Sequence, residues 1–368
     1  MKSFAKNNMA VKAFQRALKF ASWMQNLPNK MAPPPMRLMQ IGSLYWQSRA
    51  LYVAVRLDVA TVLSNLTLTT TELAEKCGCN SDSLYRLLRM LISMGIFVEP
   101  ESGKIANNSM SAYLDREHPQ CVRSMILMHN SPQLTRSWTE ALEDGVCNGE
   151  IPFKCLFGKD LFGYMEADQD FAALFASAMD TTDALIGGGF LGDFDWSRYE
   201  RLIDVGGSKG SKAIAILKQF PHLKAVVFDY PKVVEKARGY WQGKVDDSLL
   251  ERIEFVAGDA RESVPEAGEK DVYLLCAVFH GLSDADSVAI LKNLHTFPAD
   301  VAIFDAVMAD RDESLMITSF DMQMLISTEG RERTASEWQT LFDAAGFGKA
   351  ELYNTRSLWK LQLLELAD

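Results

Sequence analysis

The sequence predicts an α/β protein: a doubly wound, mostly parallel sheet in its C-terminal half, preceded by a mainly helical N-terminal half. Two observations carry this. From Arg198 onward, short apolar runs alternate with helix-period segments, the signature of repeated strand–helix units. Before Arg198 the apolar residues recur mainly at helical spacing. Composition agrees, with 48% hydrophobic and 23% charged residues, ordinary for a globular chain of 368 residues. The expected division is a helical region over residues 1–115, linking helices over 116–195 and the α/β domain over 196–368.

The first 56 residues hold nine Lys or Arg and no acid. The rest carries 29 basic against 48 acidic residues, a net −19. Phe4, Val11, Phe14, Leu18 and Ala21 share one helical face, and Lys2, Lys12, Arg16 and Lys19 fall mostly on the other. This basic amphipathic helix ends at the breaker Ala32-Pro33-Pro34-Pro35. Docking on a partner subunit, lying on a membrane surface and acting as a transit peptide compete as readings, beside a plain solvated face. A second apolar stretch, Leu38 to Leu63, favours the partner subunit. No run approaches the ~18 apolar residues of a membrane span, so no stable membrane insertion is expected.

Residues 69–114 read as a winged helix-turn-helix. Thr69 or Thr70 caps a helix over Thr71–Lys76, Gly78-Cys79-Asn80 turns, and Leu84–Met94 forms a second helix ended by Gly95. Ile96-Phe97-Val98 and Lys104-Ile105 form a hairpin around Glu101-Ser102-Gly103. Such a module often binds DNA. Here its second helix offers only Arg86 and Arg89, and the whole chain is at −10, so a structural module is expected and no nucleic-acid partner. Six cysteines in a chain this long make no disulfide framework, and Cys77 and Cys79 have no second pair at zinc spacing. Reduced thiols and a cytoplasmic location follow as expectations, with no metal. Residues 120–190 read as aromatic-rich helices.

The predicted strands are Arg201–Val205, Ala225–Asp229, Ile253–Val256, Val272–Val278 and Val301–Asp305. The helices between and after them are Ser211–Phe220, a segment from Pro231, Asp284–Leu294 and Ser336–Ala345. Glu351–Tyr353 and Leu358–Leu366 close the chain as an antiparallel pair.

The sharpest local signal is Asp204-Val205-Gly206-Gly207-Ser208-Lys209-Gly210, between a strand and a helix. A glycine turn there lets backbone approach a ligand at a helix N-terminus. A P-loop is excluded, because no Gly-Lys-Ser/Thr follows; a dinucleotide turn needs a glycine where Ser208 stands. Asp204 disfavours a pyrophosphate and suits a cationic ligand. Asp229 ends the next strand, 25 residues on, where a carboxylate accepts both ribose hydroxyls. Asp259 follows the third strand, where it can accept from an adenine amino group. Together they suit a sulfonium nucleoside with an amino-acid tail. Gly206-Gly207-Ser208-Lys209-Gly210 also fits the nucleophile elbow of α/β-hydrolases, but that fold needs several strands before the elbow. His280 follows the fourth strand at its C-terminal end, where it is either a general base or a packed histidine. Glu332 either orients a histidine or pairs with a surface Arg. The cluster Met316, Met322 and Met324 reads first as core.

With these motifs in order, the chain resembles the plant-type and bacterial small-molecule O-methyltransferases that use S-adenosylmethionine. The resemblance runs from about Pro33 to the C-terminus and takes in Asp204–Gly210, Phe228-Asp229-Tyr230-Pro231, Gly258-Asp259 and Gly330–Thr334. It implies a Rossmann-like class I methyltransferase sheet behind a winged-helix dimerisation domain, a substrate lid within 116–195, and a homodimer built through the N-terminal helices. It implies that Gly206 to Gly210 hold the methionine part, Asp229 and Tyr230 the ribose, and Asp259 and Ala260 the adenine. His280 becomes the general base, steadied by Glu332 and Asp305, and Phe175, Met179 and Met324 line the acceptor pocket. The implied reaction is methylation of a phenolic or enolic hydroxyl on a small aromatic or polyketide-like metabolite of secondary metabolism.

Three positions depart from the family pattern: Ser208 where Gly is frequent, Gly281-Leu282 after His280 where Asp-Trp is usual, and Asp305 where Glu is common. The altered surroundings of His280 open an alternative, an enzyme of the same fold that binds S-adenosylmethionine but runs a hydroxylation, decarboxylation or pericyclic reaction.

Overall fold

The computed structural model describes residues 8–365 except 187 and 312. The sequence expectations for Lys2 and Phe4 lie outside the described residues. The chain forms two compact units, one of residues 25–185 and one that joins residues up to 24 with residues 186–368.

In the first unit, the winged module sits where the sequence puts it. Helix Thr70–Cys77 starts at a capping box: the Thr69 hydroxyl accepts from the Glu72 N–H and the Glu72 carboxylate accepts from the Thr69 N–H. Helix Ser81–Ser93 begins one residue before Asp82, the start that the sequence suggests, because the Asn80 side chain caps it by accepting from the Ser83 N–H. The hairpin strands are β2 (Val98–Glu101) and β3 (Lys104–Ala106). A strand missed in the sequence, β1 (Thr67–Thr69), pairs antiparallel with β3. At three residues it is too short to show a period. Leu63, Leu73, Leu88, Leu91 and Ile105 fill the core of this module. Farther along, Met128, Leu134, Phe153, Leu161 and Phe171 form a second core among short helices.

In the second unit, seven strands form one sheet in the order β11-β12-β8-β7-β4-β5-β6. They are β4 (Arg201–Val205), β5 (Lys224–Asp229), β6 (Ile253–Ala257), β7 (Asp271–Cys276), β8 (Asp300–Asp305), β11 (Glu351–Asn354) and β12 (Lys360–Leu364). The first five run parallel. The terminal hairpin enters with its second strand inward: β12 lies antiparallel against β8, and β11 takes the edge.

Alternate strand residues serve opposite faces. Leu202, Val227, Leu274 and Phe304 pack with helix Ser211–Gln219 on one side. Ile203, Val226, Tyr273 and Ile303 pack with helices Asp284–His295 and Ala335–Ala345 on the other. A sheet covered on both faces explains the continuous apolar runs. A second small sheet pairs β9 (Val307–Met308) with β10 (Arg333–Thr334) in parallel. Helix Leu315–Ser327, absent from the sequence reading, spreads its apolar and polar residues around the whole circumference and so shows no amphipathic period.

The N-terminal helix runs over Asn8–Met31. Val11 is buried, Phe14 and Leu18 are half-buried, and Ala21 is exposed. Gln15 Nε2 donates to the Thr355 carbonyl at 3.1 Å. The sequence reading gave this face to a partner subunit. In the structure its first half docks on the chain's own C-terminal unit, because Val11 finds cover there. Among the described residues no helix is long and apolar enough to cross a membrane.

Candidate active site

Three turns leave the carboxyl ends of adjacent parallel strands, the side on which open α/β sheets hold ligands. The turn after β4 is built of glycine for steric reasons. Gly206 has φ +70°, and a Cβ there would lie 2.9 Å from Val278 Cγ2. At Gly207 a Cβ would stand 2.7 Å from the Asp204 carboxyl carbon, so that buried side chain packs directly against the turn. Ser208 takes a left-handed φ of +54°, a conformation that costs a non-glycine residue about 1 kcal/mol. Its side chain is exposed, so the exchange of Gly for Ser creates no clash. Trp241 Nε1 donates to the Lys209 carbonyl at 2.6 Å and closes the turn's outer end.

Asp229, at the end of β5, joins the first two turns. Its Oδ2 accepts from the Ser208 N–H at 2.8 Å, and its Oδ1 accepts from the Tyr230 N–H at 2.7 Å. Burial pushes the Asp229 carboxyl upward, against the pull of those two N–H groups. Tyr230 is largely exposed beside it. Past β6, a Cβ on Gly258 would fall 2.5 Å from the Phe228 ring, so Gly258 lets the chain pass close to β5. Asp259, read in the sequence as an acceptor for an adenine amino group, already has a partner. Arg261 holds it in a fork, Nη2 to Oδ2 at 2.6 Å and Nε to Oδ1 at 3.0 Å, which lowers its pKa. The Ala260 carbonyl accepts from Asn293 Nδ2 at 2.9 Å.

His280 lies in a short turn, Phe279–Gly281, beyond β7. Asp305 ends β8. The β9–β10 pairing sets Arg333 opposite Val307, which carries Glu332 back to the end of β8 near Asp305. The three side chains offer ligand-type atoms within 4.8 Å of one another. His280 Nδ1 and Glu332 Oε1 are 3.0 Å apart, which leaves Nε2 as the ring's other nitrogen. Asp305 and Glu332 are both buried, and Asp305 Oδ2 and Glu332 Oε2 have no hydrogen-bond partner among the described residues. Burial alone would lower the pKa of His280. The Glu332 hydrogen bond and the charges of Asp305 and Glu332 outweigh it, raising the imidazole to about 9. Burial lifts Asp305 to about 6, against the pull of His280. Of the two sequence readings for Glu332, the histidine partner is the observed one.

The sequence reading missed three supports of this cluster. The Glu332 N–H donates to Asp321 Oδ1 at 2.9 Å. Arg333 and Gly330 contact the backbone of the His280 turn. Arg333 and Gly330 reach across about 50 residues of chain and Asp321 across 11, and no local spacing reports such contacts. Of the expected acceptor residues, Met324 is half-buried on helix Leu315–Ser327 of the second unit. Phe175, half-buried against Phe171 with ring centroids 6.5 Å apart, and the exposed Met179 stand on helix Gln169–Ile186 of the first unit.

Comparison with known proteins gives this geometry a family. An O-methyltransferase domain matches residues 138–348, and an O-methyltransferase dimerisation domain matches residues 39–114. A phenazine O-methyltransferase of Lysobacter antibioticus is 31% identical over 325 residues, covering 87% of this chain and 93% of its own length. The mitomycin biosynthesis 6-O-methyltransferase of Streptomyces lavendulae is 30% identical over 305 residues, 82% of this chain and 85% of that protein. Among solved structures, a methyltransferase of calicheamicin biosynthesis with S-adenosylhomocysteine bound superposes with a TM-score of 0.79 at 28% identity, covering 90% of this chain and 98% of the other. The residues present suit that cofactor: a turn with no room for a side chain at Gly206 and Gly207, and a carboxylate at the end of β5 that bridges the first two turns. The chain belongs to the S-adenosylmethionine-dependent O-methyltransferase family, and carries its dimerisation domain as well as its catalytic one.

Proposed function

We propose that this enzyme methylates a phenolic or enolic hydroxyl of a small aromatic or polyketide-like metabolite, with His280 as the general base. The observation that carries the reading is the His280–Glu332 contact of 3.0 Å, with Asp305 beside it, at the carboxyl ends of β7 and β8. The cofactor supplies an electrophilic sulfonium methyl group. The turn from Gly206 to Gly210, above Asp204, holds its methionine part. Asp229, already bridging Ser208 and Tyr230, takes the ribose hydroxyls, and Asp259 with Ala260 takes the adenine.

His280 receives the hydroxyl proton at Nε2, and Glu332 at Nδ1 stabilises the imidazolium that results. A phenol of pKa ~10 faces an imidazole raised to about 9, so the proton moves between groups of similar affinity. The cost of that high affinity is that the free enzyme holds most His280 protonated at neutral pH. Turnover per bound substrate therefore rises with pH, about tenfold per unit, and levels near pH 9.

His280→Ala is expected to reduce kcat by about 10²–10⁴-fold while S-adenosylhomocysteine binding, measured by calorimetry, stays within twofold. A methyl-labelled cofactor and mass spectrometry of the products of a phenol and quinol panel provide the readout. Undiminished turnover in His280→Ala removes the base assignment. Product formed without label, despite bound cofactor, favours the non-methylating alternative that Gly281-Leu282 raised.

A further inference from the structure

We propose that Arg333, together with Gly330, positions His280: a buried guanidinium fastens the turn that carries the imidazole to the segment that carries Glu332. This rests on the reading of His280 as the base.

Arg333 is 1% exposed. Its Nη1 donates to the Phe279 carbonyl at 2.8 Å, and its Nη2 donates to the Leu282 carbonyl at 2.9 Å. These two carbonyls bracket His280-Gly281. The same guanidinium reaches Asp284 Oδ1 through Nη2 at 2.7 Å and Nε at 3.0 Å, and Nη2 lies 3.5 Å from Ser287 Oγ. It also lies over the Trp338 ring, 5.6 Å from its centre. Burying a guanidinium is strongly unfavourable unless its donors are satisfied. Here they are satisfied by the backbone on both sides of the base together with the Asp284 carboxylate.

Gly330 closes the other approach. A Cβ there would stand 2.0 Å from the His280 carbonyl oxygen and 2.6 Å from both Gly281 C and Leu282 N. The segment from Gly330 to Arg333 therefore lies flat on the His280 turn, and Glu332 extends from it to Nδ1. Phe279 roots the turn in the core, but Gly281 adds no side chain to hold it, and a Cβ there would meet nothing within 4 Å. With Phe279 fixed below and no side chain at Gly281, the arginine's bonds to the Phe279 and Leu282 carbonyls set the register between His280 and Glu332. Displacing a catalytic group by about 1 Å costs on the order of 10²-fold in rate.

The test uses the full chain with Arg333→Lys and Gly330→Ala. Lysine keeps the charge and loses the fork, so any effect on His280 comes through geometry. Histidine-selective NMR titration, which needs no acceptor, reads the Glu332 contact directly. Each variant is expected to drop the His280 midpoint from about 9 by at least one unit toward the ordinary 6.5. Turnover is expected to fall about 10–100-fold, with S-adenosylhomocysteine binding within twofold. Arg331→Ala removes an exposed neighbouring guanidinium that lies 3.7 Å from the same Asp284, and should leave the midpoint unmoved.

If Gly330→Ala fails to fold, Arg333→Lys decides alone. A lowered melting temperature with an unmoved midpoint and wild-type turnover assigns Arg333 a structural role only and overturns the proposal. The two readings separate cleanly. If His280→Ala is inactive while Arg333→Lys is fully active, positioning fails and the base stands. If His280→Ala is active, both fall.

Discussion

At the residue scale the site turns on one contact. The imidazole of His280 is partly buried, and the Glu332 carboxylate is almost completely so. A charged carboxylate so buried favours the protonated ring, which is why burial's own tendency to lower a histidine is reversed. Glu332→Gln removes the charge and weakens the hydrogen bond, leaving burial opposed only by the charge of Asp305. The acid limb of the pH–rate profile, expected near pH 9 in the native enzyme, is then expected to shift down toward 6.5, with a smaller kcat at its plateau. The same linkage has a sign for stability. A group raised above its unfolded value of 6.5 stabilises the fold fully below that pH and loses the contribution as pH rises through about 9. Urea midpoints across pH 6–10 for the native chain and Glu332→Gln measure it. Parallel slopes would show that His280 is not the coupled group.

At the element scale, the pairing of β9 with β10 does what no single helix or strand does. It is two residues wide, yet it brings the segment before helix Ala335–Ala345 alongside the end of β8. That helix is held at its start by a second capping box. The Thr334 hydroxyl accepts from the Glu337 N–H, and the Glu337 carboxylate accepts from the Thr334 N–H at 2.8 Å. Thr334→Ala is expected to cost about 1 kcal/mol, lowering the melting temperature by about 2–4 °C. Because the cap begins two residues after Glu332, kcat should fall while cofactor binding at β4–β6 stays the same. Calorimetric scanning and S-adenosylhomocysteine titration check both halves.

At the scale of the whole molecule, the dimerisation domain leaves an apolar surface to be covered. Met39 on helix Pro34–Gly42 is 71% exposed, and Trp46 on helix Leu44–Arg56 is 66% exposed. Soluble chains rarely leave such side chains in a contiguous group. A second copy of the chain is the partner that the matched domain supports. Met39→Glu combined with Trp46→Glu is expected to halve the mass seen by sedimentation velocity at micromolar concentration. A native chain sedimenting as a monomer would remove the homodimer from this account.

Much of this was legible in residue order, and for identifiable reasons. The five parallel strands announce themselves because a sheet covered on both faces needs unbroken apolar runs. The glycine turn and Asp229 are legible because a backbone turning close to a ligand tolerates few side chains. His280 stood out by its place after the fourth strand, Glu332 as a histidine partner or half of an ion pair, and Asp305 only through the family resemblance; nothing in their spacing places them within 4.8 Å of one another. That closeness comes from β9 and β10, too short to have a period, and from Arg333, whose bonds span about 50 residues. The fork of Arg261 on Asp259 and the docking of Val11 on its own chain are likewise matters of three-dimensional packing. Local periodicity and turn chemistry are written into neighbouring residues, whereas a buried charge is satisfied by whichever distant backbone the fold delivers.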